Sequence, residues 1–452
     1  MEAWIFERTD RGSFRRMKLA AALFAGGIFL CSAPSFANGR YPRATQLAFA
    51  PNDPARLSLR STFGVLQSFD AGGTWSWVCE QSAGYTDSVD PSLAVTGSGN
   101  IVVAGDTVQL SADRGCNWTT TYPSSATTVV DITLDPENAD RVVALARTTD
   151  SDGTVRNGLL ESVDDGRTWT VVGTSIVDGL IGLTVELAPG NRVYVSGEYS
   201  ADHGAFERSD DGGASWTRAT FHEPQVVKPF IAAVDPNDRD RVYIRTVGSP
   251  LDDVFVTDDA GLTFTRIFSA SSQLTGFALS PDGSEIAVGG VDLGINVASA
   301  SDRQFRKTSA VAPDCLRWTS AGLYACAADA VEGFTLGLST DRGATFAPLL
   351  RLPSVVPLAC PEGSGTASIC GDYWPQVAGV IGADAGPDAG DADAGAPDAG
   401  AGEPVSTVGC GCRAARRDGR GAIAWFAALA GAIGYRRARR TQRVSRSRRT
   451  SV

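Results

Sequence analysis

Histidine and methionine are scarce in this chain, which has only two of each among 452 residues. Because imidazole is the commonest metal ligand and the usual group for acid–base catalysis near neutral pH, this scarcity excludes a His-rich metal site. The sequence also has no signature of Ser-His-Asp or Cys-His nucleophilic catalysis. We therefore expect no metal and no cofactor.

Glycine, tryptophan and acidic charge are plentiful. The chain has 50 Gly, 22 Pro and 9 Trp, and its 43% hydrophobic content is that of a globular protein with a real core. The net charge of -11 is unevenly distributed, because residues 413–452 hold 12 Arg and one Asp and residues 1–37 carry +2. Residues 38–412 therefore carry -24. So acidic a body repels nucleic acid, and we expect no nucleic-acid partner.

A secretory signal is expected over residues 1–37. Met17 precedes an apolar run at 19–30, and the small residues that end the segment suit a signal peptidase cleaving after Ala37. The sequence leaves both Met1 and Met17 open as the start. We expect an exported protein that is displayed at the cell surface, anchored in the outer membrane or released.

The C-terminal part divides into a spacer and a tail. Residues 381–408 are mostly Ala, Asp, Gly and Pro and have no means of building a core, so we expect a solvated spacer. Residues 409–452 contain Cys410 and Cys412, an apolar stretch at 421–435 and an Arg cluster. As a helix, that stretch would span about 22 Å, less than the roughly 30 Å of a bilayer core.

The order of spacer, Cys motif, short apolar helix and Arg cluster resembles the MYXO-CTERM sorting signal of myxobacterial surface proteins. In that family the tail is thought to be removed near the cysteine. The resemblance implies that Cys410 and Cys412 are processing residues, that sorting machinery is a partner of the tail, and that the tail contacts the membrane. The alternative is an ordinary single-pass tail with its Arg residues in the cytoplasm.

One motif, Ser/Thr-x-Asp-x-Gly-x-x-Trp/Phe, recurs between residues 40 and 350. Six copies match fully, and Phe305 marks a degenerate seventh. In each turn we expect the Asp to accept backbone N–H bonds, the Gly to supply a positive φ, and the aromatic residue to pack between sheets. The structural positions are Asp70, Gly72, Trp75, Asp113, Gly115, Trp118, Asp164, Gly166, Trp169, Asp211, Gly213, Trp216, Asp259, Gly261, Phe264, Phe305, Asp341, Gly343 and Phe346.

Each copy follows a short apolar strand, a turn and a second apolar strand. Four short strands in each repeat are typical of a β-propeller blade, so we predict an all-β, seven-bladed propeller with a closing segment over residues 38–380. The motifs resemble the Asp-box, or BNR, repeats of sialidases, two-propeller glucanases, sortilin-type receptors and photosystem II assembly factors. This resemblance implies the fold, which enzymes and non-enzymes share.

Six cysteines fall in the expected exported domain and predict three disulfides rather than buried free thiols. Two of them are placed symmetrically about the Ser320-Ala321 turn, so they would face each other across a hairpin. Two others would close a small loop after the last blade, and the last pair follows by elimination. The predicted pairs are Cys315–Cys326, Cys360–Cys370 and Cys79–Cys116.

The predicted ligand face lies opposite the motif turns. In an up-and-down blade the first and third turns share one face, so binding groups are sought in the loops between strands two and three and between blades. The alternative is that these polar loops are only solvated and variable. The candidates are Asp152, Arg156, Glu198, Tyr199, His203, His222, Glu223, Asp252 and Asp253.

The expected role is a monomeric, non-catalytic surface module that binds an extracellular protein or glycan through that face. The rival is a carbohydrate-active hydrolase, sialidase-like or a two-carboxylate glycosidase, on the same scaffold. Against it, the sequence lacks the Arg-Ile-Pro segment of sialidases, and Glu198 and Tyr199 are adjacent, so their side chains would diverge on a strand. An assembly factor is a third, weaker alternative.

Overall fold

The structure, a computed structural model, describes residues 41–384 except 86–89, 124–126, 177–179, 201–202, 221–225 and 249–250. Seven sheets of consecutive antiparallel strands fill this part of the chain, which confirms the predicted all-β, seven-bladed propeller. The expected signal with Ala37, the main part of the spacer, the tail with Cys410 and Cys412, and the candidates His222 and Glu223 lie outside the described residues. No helix within the described ranges is long and apolar enough to cross a membrane.

Every blade pairs its four strands in chain order. Blades 1 to 4 comprise β1 (Ala44–Ala50), β2 (Asp53–Ser61), β3 (Gly64–Ser68), β4 (Ser76–Val78); β5 (Ser92–Val95), β6 (Ile101–Ala104), β7 (Val108–Ser111), β8 (Thr119–Tyr122); β9 (Thr127–Leu134), β10 (Val142–Thr149), β11 (Val155–Ser162), β12 (Thr170–Ile176); and β13 (Ile181–Ala188), β14 (Arg192–Ser200), β15 (His203–Ser209), β16 (Thr217–Thr220). Blades 5 to 7 comprise β17 (Val226–Asp235), β18 (Asp238–Gly248), β19 (Asp252–Thr257), β20 (Thr265–Ala270); β21 (Leu274–Leu279), β22 (Glu285–Gly290), β23 (Gly294–Ser299), β24 (Arg306–Ser309); and β25 (Pro313–Thr319), β26 (Gly322–Ala327), β27 (Leu336–Ser339), β28 (Ala347–Leu350).

The first strand of each blade lies at the centre of the ring. These strands contact one another from blade to blade, and β1 contacts β25 to complete the circle. Seven apolar clusters fill the spaces between neighbouring blades, one at each interface. Middle strands are therefore buried on both faces, and Val142–Ala146 in β10 is a continuous buried apolar run.

The repeated motif forms the third turn of six blades, and its own side chains close that turn. In blade 4, Ser209 Oγ donates to Asp211 Oδ1 at 2.8 Å and accepts from Gly213 N at 2.7 Å. The hydroxyl and backbone N–H of Ser215 donate to the same carboxylate at 2.7 and 2.8 Å. The bonds from Ser215 and Ser209 lower the pKa of Asp211 to about 2.

The turn places two successive residues in the left-handed region. In blade 1 these are Ala71 at φ 60° and Gly72 at φ 94°. The first conformation accepts a side chain at a modest cost, whereas the second favours glycine. At Gly261 an added Cβ would also lie 2.7 Å from the Phe206 ring, so glycine is required there for space as well.

The aromatic residue of the motif packs between its blade and the preceding one. Trp75 is 3% exposed, and its Nε1 donates to Gly72 O and to Leu349 O of blade 7, both at 3.1 Å. In degenerate blade 6, Phe305 takes this role and meets Phe268 of blade 5 with ring centroids 4.9 Å apart. The aromatic position is thus kept where the Asp and Gly of the motif are lost.

The segment after the last blade returns to blade 1. Blade 7 carries the short helix α1 (Asp329–Glu332), and the closing segment contains a 3-10 turn at Leu352–Ser354, β29 (Val356–Pro357), α2 (Gly365–Cys370) and α3 (Trp374–Ile381). Strand β29 pairs in parallel with β4 as a fifth strand of blade 1. In α3, Trp374 packs on Trp77 of β4 with ring centroids 5.5 Å apart. The closing segment therefore covers the outer edge of blade 1.

Two of the three predicted disulfide pairings are wrong. Cys315–Cys326 is present, between directly opposed residues of β25 and β26. The predicted pairs Cys360–Cys370 and Cys79–Cys116 are replaced by Cys79–Cys370 and Cys116–Cys360. Cys116 lies in the motif turn of blade 2, whereas Cys79 follows the far end of β4. The closing segment runs between these two places, so each of its cysteines meets a different blade.

Candidate functional site

A cavity of about 610 Å³ lies at the centre of the ring, on the side of the motif turns. Its walls are the last residues of the first strands and the first turns that follow them. We call it the central cavity. Because in each blade the first turn shares a face with the third, the central cavity opens on the face opposite the predicted ligand loops.

One position of the repeat decides the chemistry of this cavity. It is the third residue before the Pro, Gly or Ser in the first turn, and we call it the inner-ring position. In four blades it is alanine, and in blades 3, 4 and 7 it is Thr, Glu and Arg. All but Ala278 line the central cavity. The seven residues, in blade order, are Ala48, Ala94, Thr133, Glu186, Ala233, Ala278 and Arg317.

Thr133 and Glu186 are neighbours on one wall. Thr133 Oγ1 donates a 2.9 Å hydrogen bond to Glu186 Oε2. Glu186 Oε1 accepts no hydrogen bond from any residue that the structure describes. Burial, together with the nearby Asp131 carboxylate, raises the pKa of Glu186 to about 7, and the Thr133 hydrogen bond and Arg317 oppose the shift.

The Asp131 side chain bonds to the two neighbouring blades and not to the groups that face the cavity. Its Oδ1 accepts from Ser92 Oγ of blade 2 at 2.8 Å, and its Oδ2 accepts from Val185 N of blade 4 at 3.1 Å. Burial raises its pKa to about 6. Since both oxygens are held by donors from the two flanking blades, this carboxyl joins three inner strands together.

Arg317 lies on the opposite wall. In a ring of seven blades, the point opposite blade 7 falls between blades 3 and 4, which carry Thr133 and Glu186. The Arg317 side chain is exposed to the cavity, and it makes no hydrogen bond or ion pair with the described part of the chain. A guanidinium and a carboxylate oxygen without partners thus face the same space.

The other carboxylates of the cavity rim are already engaged. Asp135 pairs with Arg141 at 2.8 Å, and Asp235 pairs with Arg241 at 3.2 Å. Both pairs have the spacing Asp-Pro followed by Arg six residues after the Asp. Glu137 Oε2 accepts from Gly190 N of the next blade at 2.8 Å.

The predicted ligand-face residues of blade 3 bond locally. Asp152 Oδ1 accepts from Thr154 N at 2.9 Å within the loop. Arg156 pairs with Asp150 across the same hairpin at 2.8 Å. Neither residue meets a predicted candidate from another blade through a described contact.

In blade 4, Glu198 and Tyr199 follow each other on β14 and have different partners. Glu198 lies 3.9 Å from Lys228 Nζ. The Tyr199 hydroxyl donates to Glu207 Oε1 at 2.6 Å, and Arg218 lies over its ring at 4.1 Å. His203 begins β15.

In blade 5, both predicted carboxylates are bound to backbone or side chains. Asp252 is 6% exposed, and its Oδ2 accepts from Leu274 N of blade 6 at 2.9 Å. Asp253 accepts from Ser269 Oγ and lies 3.7 Å from Arg266. Apart from His203, the described ligand-face candidates therefore bond within their own loops or to neighbouring strands. The part of the chain that the structure describes holds no metal-binding cluster of His, Cys, Asp or Glu.

No protein-family model matches the chain, and no curated protein matches it. Among solved structures, it is similar to a GH74 xyloglucanase from Xanthomonas campestris, with 17% identity over 68% of this chain and 53% of that one and a TM-score of 0.44. A GH74 enzyme of Niastella koreensis is 16% identical over 72% of this chain and 60% of that one, with a TM-score of 0.41. A Hadza microbial sialidase is 16% identical over 55% of this chain and 62% of that one, with a TM-score of 0.39. The chain thus spans 53% and 60% of the two GH74 proteins. The likeness is one of propeller fold and says nothing about activity.

Proposed function

We propose that the protein is a non-catalytic binding propeller that takes a small organic ligand into the central cavity. The observation that carries this proposal is the inner-ring position, where the alanine of four blades is replaced by Thr133, Glu186 and Arg317 around one space. The cavity volume of about 610 Å³ lies in the range of small-molecule sites, and its lining mixes polar and apolar residues.

Folding alone does not account for these replacements. A partly buried Glu186 with a raised pKa is destabilised as a charged group, and an unpaired Arg317 contributes no ion pair. Alanine at both places would complete the ring at lower cost, as it does in blades 1, 2, 5 and 6. A ligand that pairs with both charges supplies the compensating interaction.

Binding fits the cavity better than hydrolysis. A glycosidase uses two carboxyl groups that reach one glycosidic bond. Asp135 and Asp235 are paired with arginines, and Glu137, exposed at the rim, is held through one oxygen by Gly190 N. Glu186 is thus the one carboxyl group among the described inner-ring residues. Glycoside hydrolysis is therefore the rival that the experiment below includes.

Export and display at the cell surface belong to the same proposal. Three disulfides in the propeller suit an oxidising compartment. The expected signal, acidic spacer and sorting tail would then hold the propeller outside the cell. The predicted binding of a protein or glycan by the opposite face stays a prediction.

The test is a binding screen on the full chain, exported and purified. Thermal-shift measurements with amines, carboxylic acids, short peptides and oligosaccharides would be confirmed by calorimetry. Ala233→Trp fills the cavity, and Ala310→Trp places the same bulk at an exposed position away from it. We expect a ligand that binds wild type and Ala310→Trp but binds Ala233→Trp at least tenfold more weakly.

Three outcomes would overturn the proposal. The first is that the screen finds no ligand, and the second is that Ala233→Trp leaves the affinity of the ligand unchanged. The third is that the protein releases sugar from an oligosaccharide and that Glu186→Gln abolishes this release. The last outcome would establish the hydrolase. Thermal unfolding of both Trp variants shows whether each one is folded.

A further inference from the structure

The inner-ring position also points to the chemical class of the ligand. We infer that the central cavity binds a small zwitterion of amino-acid or short-peptide type, with its carboxylate on Arg317 and its ammonium on Glu186. This inference rests on the proposed function, because it names the ligand of the same cavity.

Arg317 selects an anion. Its guanidinium offers planar, bidentate donors that match a carboxylate, and none of these donors is used by a residue that the structure describes. At the inner-ring position of the adjoining blade 1 stands Ala48, which provides neither a competing charge nor steric bulk. A ligand carboxylate can therefore approach the guanidinium directly.

Glu186 selects a cation on the other wall. Thr133 Oγ1 occupies Oε2 and fixes the carboxyl group, so Oε1 is left to accept a hydrogen bond from a ligand ammonium. The charged groups around it are Asp131 behind the wall, with both oxygens bonded, and Arg317 across the cavity. A bound ammonium next to Glu186 would also relieve the destabilisation of its charged form.

The separation of the two groups argues for a ligand with both charges. Arg317 influences the titration of Glu186, yet the described residues form no ion pair between them. A molecule with a single charge would pair with either Arg317 or Glu186 and leave the other one unpaired, whereas a zwitterion pairs with both.

The backbone of the ring favours amino-acid and peptide chemistry. The first strand of each blade pairs only with the second strand, so its other edge faces the centre of the ring. Edge N–H and C=O groups are the partners that amide groups use in strand addition. Side chains of neighbouring blades already bond part of this edge, at Leu93 N and O, Val185 N and Ile231 N. Phe49 and Val234, both half-buried against the clusters between blades, are apolar residues of the same lining.

The test uses four probes on the full-length protein. They are alanine, tri-alanine, N-acetyl-tri-alanine and tri-alanine amide, so that length, ammonium and carboxylate are varied separately. Calorimetry is expected to show binding of tri-alanine and at least tenfold weaker binding of each capped peptide. Alanine keeps both charges and should therefore lose less affinity than either capped peptide.

Two cavity variants assign the contacts. Arg317→Ala restores the alanine of the repeat and should abolish the preference for the free carboxylate over the amide. Glu186→Gln should abolish the preference for the free ammonium over the acetylated form. Arg306→Gln and Glu362→Gln change exposed charges outside the cavity and should preserve both preferences.

The outcomes separate this inference from the proposed function. Equal binding of free and capped peptides, or preferences that survive Arg317→Ala and Glu186→Gln, would overturn the ligand class. If another ligand still binds and Ala233→Trp weakens it, the cavity remains the site and only the zwitterion is refuted. If Ala233→Trp has no effect on any ligand, both proposals are refuted.

Discussion

The two disulfides of the closing segment should act as one cooperative latch on the propeller. Cys79–Cys370 joins residues 291 positions apart, and Cys116–Cys360 joins residues 244 apart. Because the second loop lies inside the first, either bond alone already brings the two ends of the propeller chain together. Removing one bond should therefore cost much less than removing the second.

The chain-entropy relation gives the sizes. A 291-residue loop corresponds to about 6 kcal/mol, and with Cys116–Cys360 intact the other bond closes only about 47 further residues, worth about 4 kcal/mol. Loss of both should cost about 10 kcal/mol, which exceeds the roughly 8 kcal/mol sum of two single losses. The 11-residue loop of Cys315–Cys326 gives about 3 kcal/mol.

Guanidinium unfolding of four variants measures these values. Each disulfide is removed as a Cys→Ala pair, and a fourth variant lacks both latch bonds. The Cys315→Ala, Cys326→Ala pair is the matched control, because its two buried cysteines lose the same atoms from the core. A latch double loss no greater than the sum of the single losses, or single latch losses no greater than the control, would refute the latch.

Three further predictions concern single residues. Since burial raises the pKa of Glu186 from 4.5 to about 7, its folded form holds a proton that the unfolded form releases, so the free energy of unfolding falls as pH rises through this window. In thermal unfolding at pH 4.5 and 8, Glu186→Gln should flatten that fall by about 1 kcal/mol after allowance for solvent screening, and an unchanged slope contradicts it. The pKa of Asp211 is about 2 in the folded protein against 3.8 in the unfolded chain, so the stabilisation that its charged form provides is complete above pH 3.8 and is lost towards pH 2. The free energy of unfolding that Asp211→Asn loses relative to wild type should therefore shrink between pH 3.8 and pH 2 in an acid titration. A loss that stays constant over this range would count against the turn bonds. Gly261→Ala should destabilise by about 2–4 kcal/mol and Gly153→Ala by about 1 kcal/mol in denaturant unfolding, because both have φ near 90° but only Gly261 meets Phe206; equal losses would show that packing has no part.

The blade count was predictable because it depends on local sequence. Each motif carries the whole of its turn, as Ser209, Asp211 and Gly213 do in blade 4, and the aromatic residue that follows reaches the neighbouring blade. The interval between motifs then fixes four strands per repeat. The interval alone also predicts Phe305, in a copy that has lost the Asp and Gly of the motif.

The disulfides of the closing segment depend on a path that no repeat encodes. Cys360 and Cys370 are near in sequence, but α2 and the turn before it carry them to different blades. Cys315 and Cys326 are predictable as a pair because a hairpin fixes its own register. No such register exists where a single segment passes over two blades.

The candidate site was missed for a different reason. Its signal was present in the aligned repeats, where one column reads alanine in four blades and Thr133, Glu186 and Arg317 in the others. The long polar loops indicate Asp252 and Tyr199 instead, but Asp252 bonds to the neighbouring blade and Tyr199 bonds within its own. Loop length indicates where a chain tolerates variation, whereas a charge at a position that is alanine in the other repeats indicates a residue that folding does not require.

That contrast gives a rule for repeat proteins of this kind. A blade must satisfy the same packing demands as its neighbours, so a substitution that keeps the demand, such as Phe for Trp in the motif, carries no functional information. Arg317 and Glu186 replace alanine with a charged residue at the inner-ring position, and they lie on opposite walls of the cavity. Two independent replacements that place unlike charges across one cavity are better explained by a common ligand than by the stability of either blade.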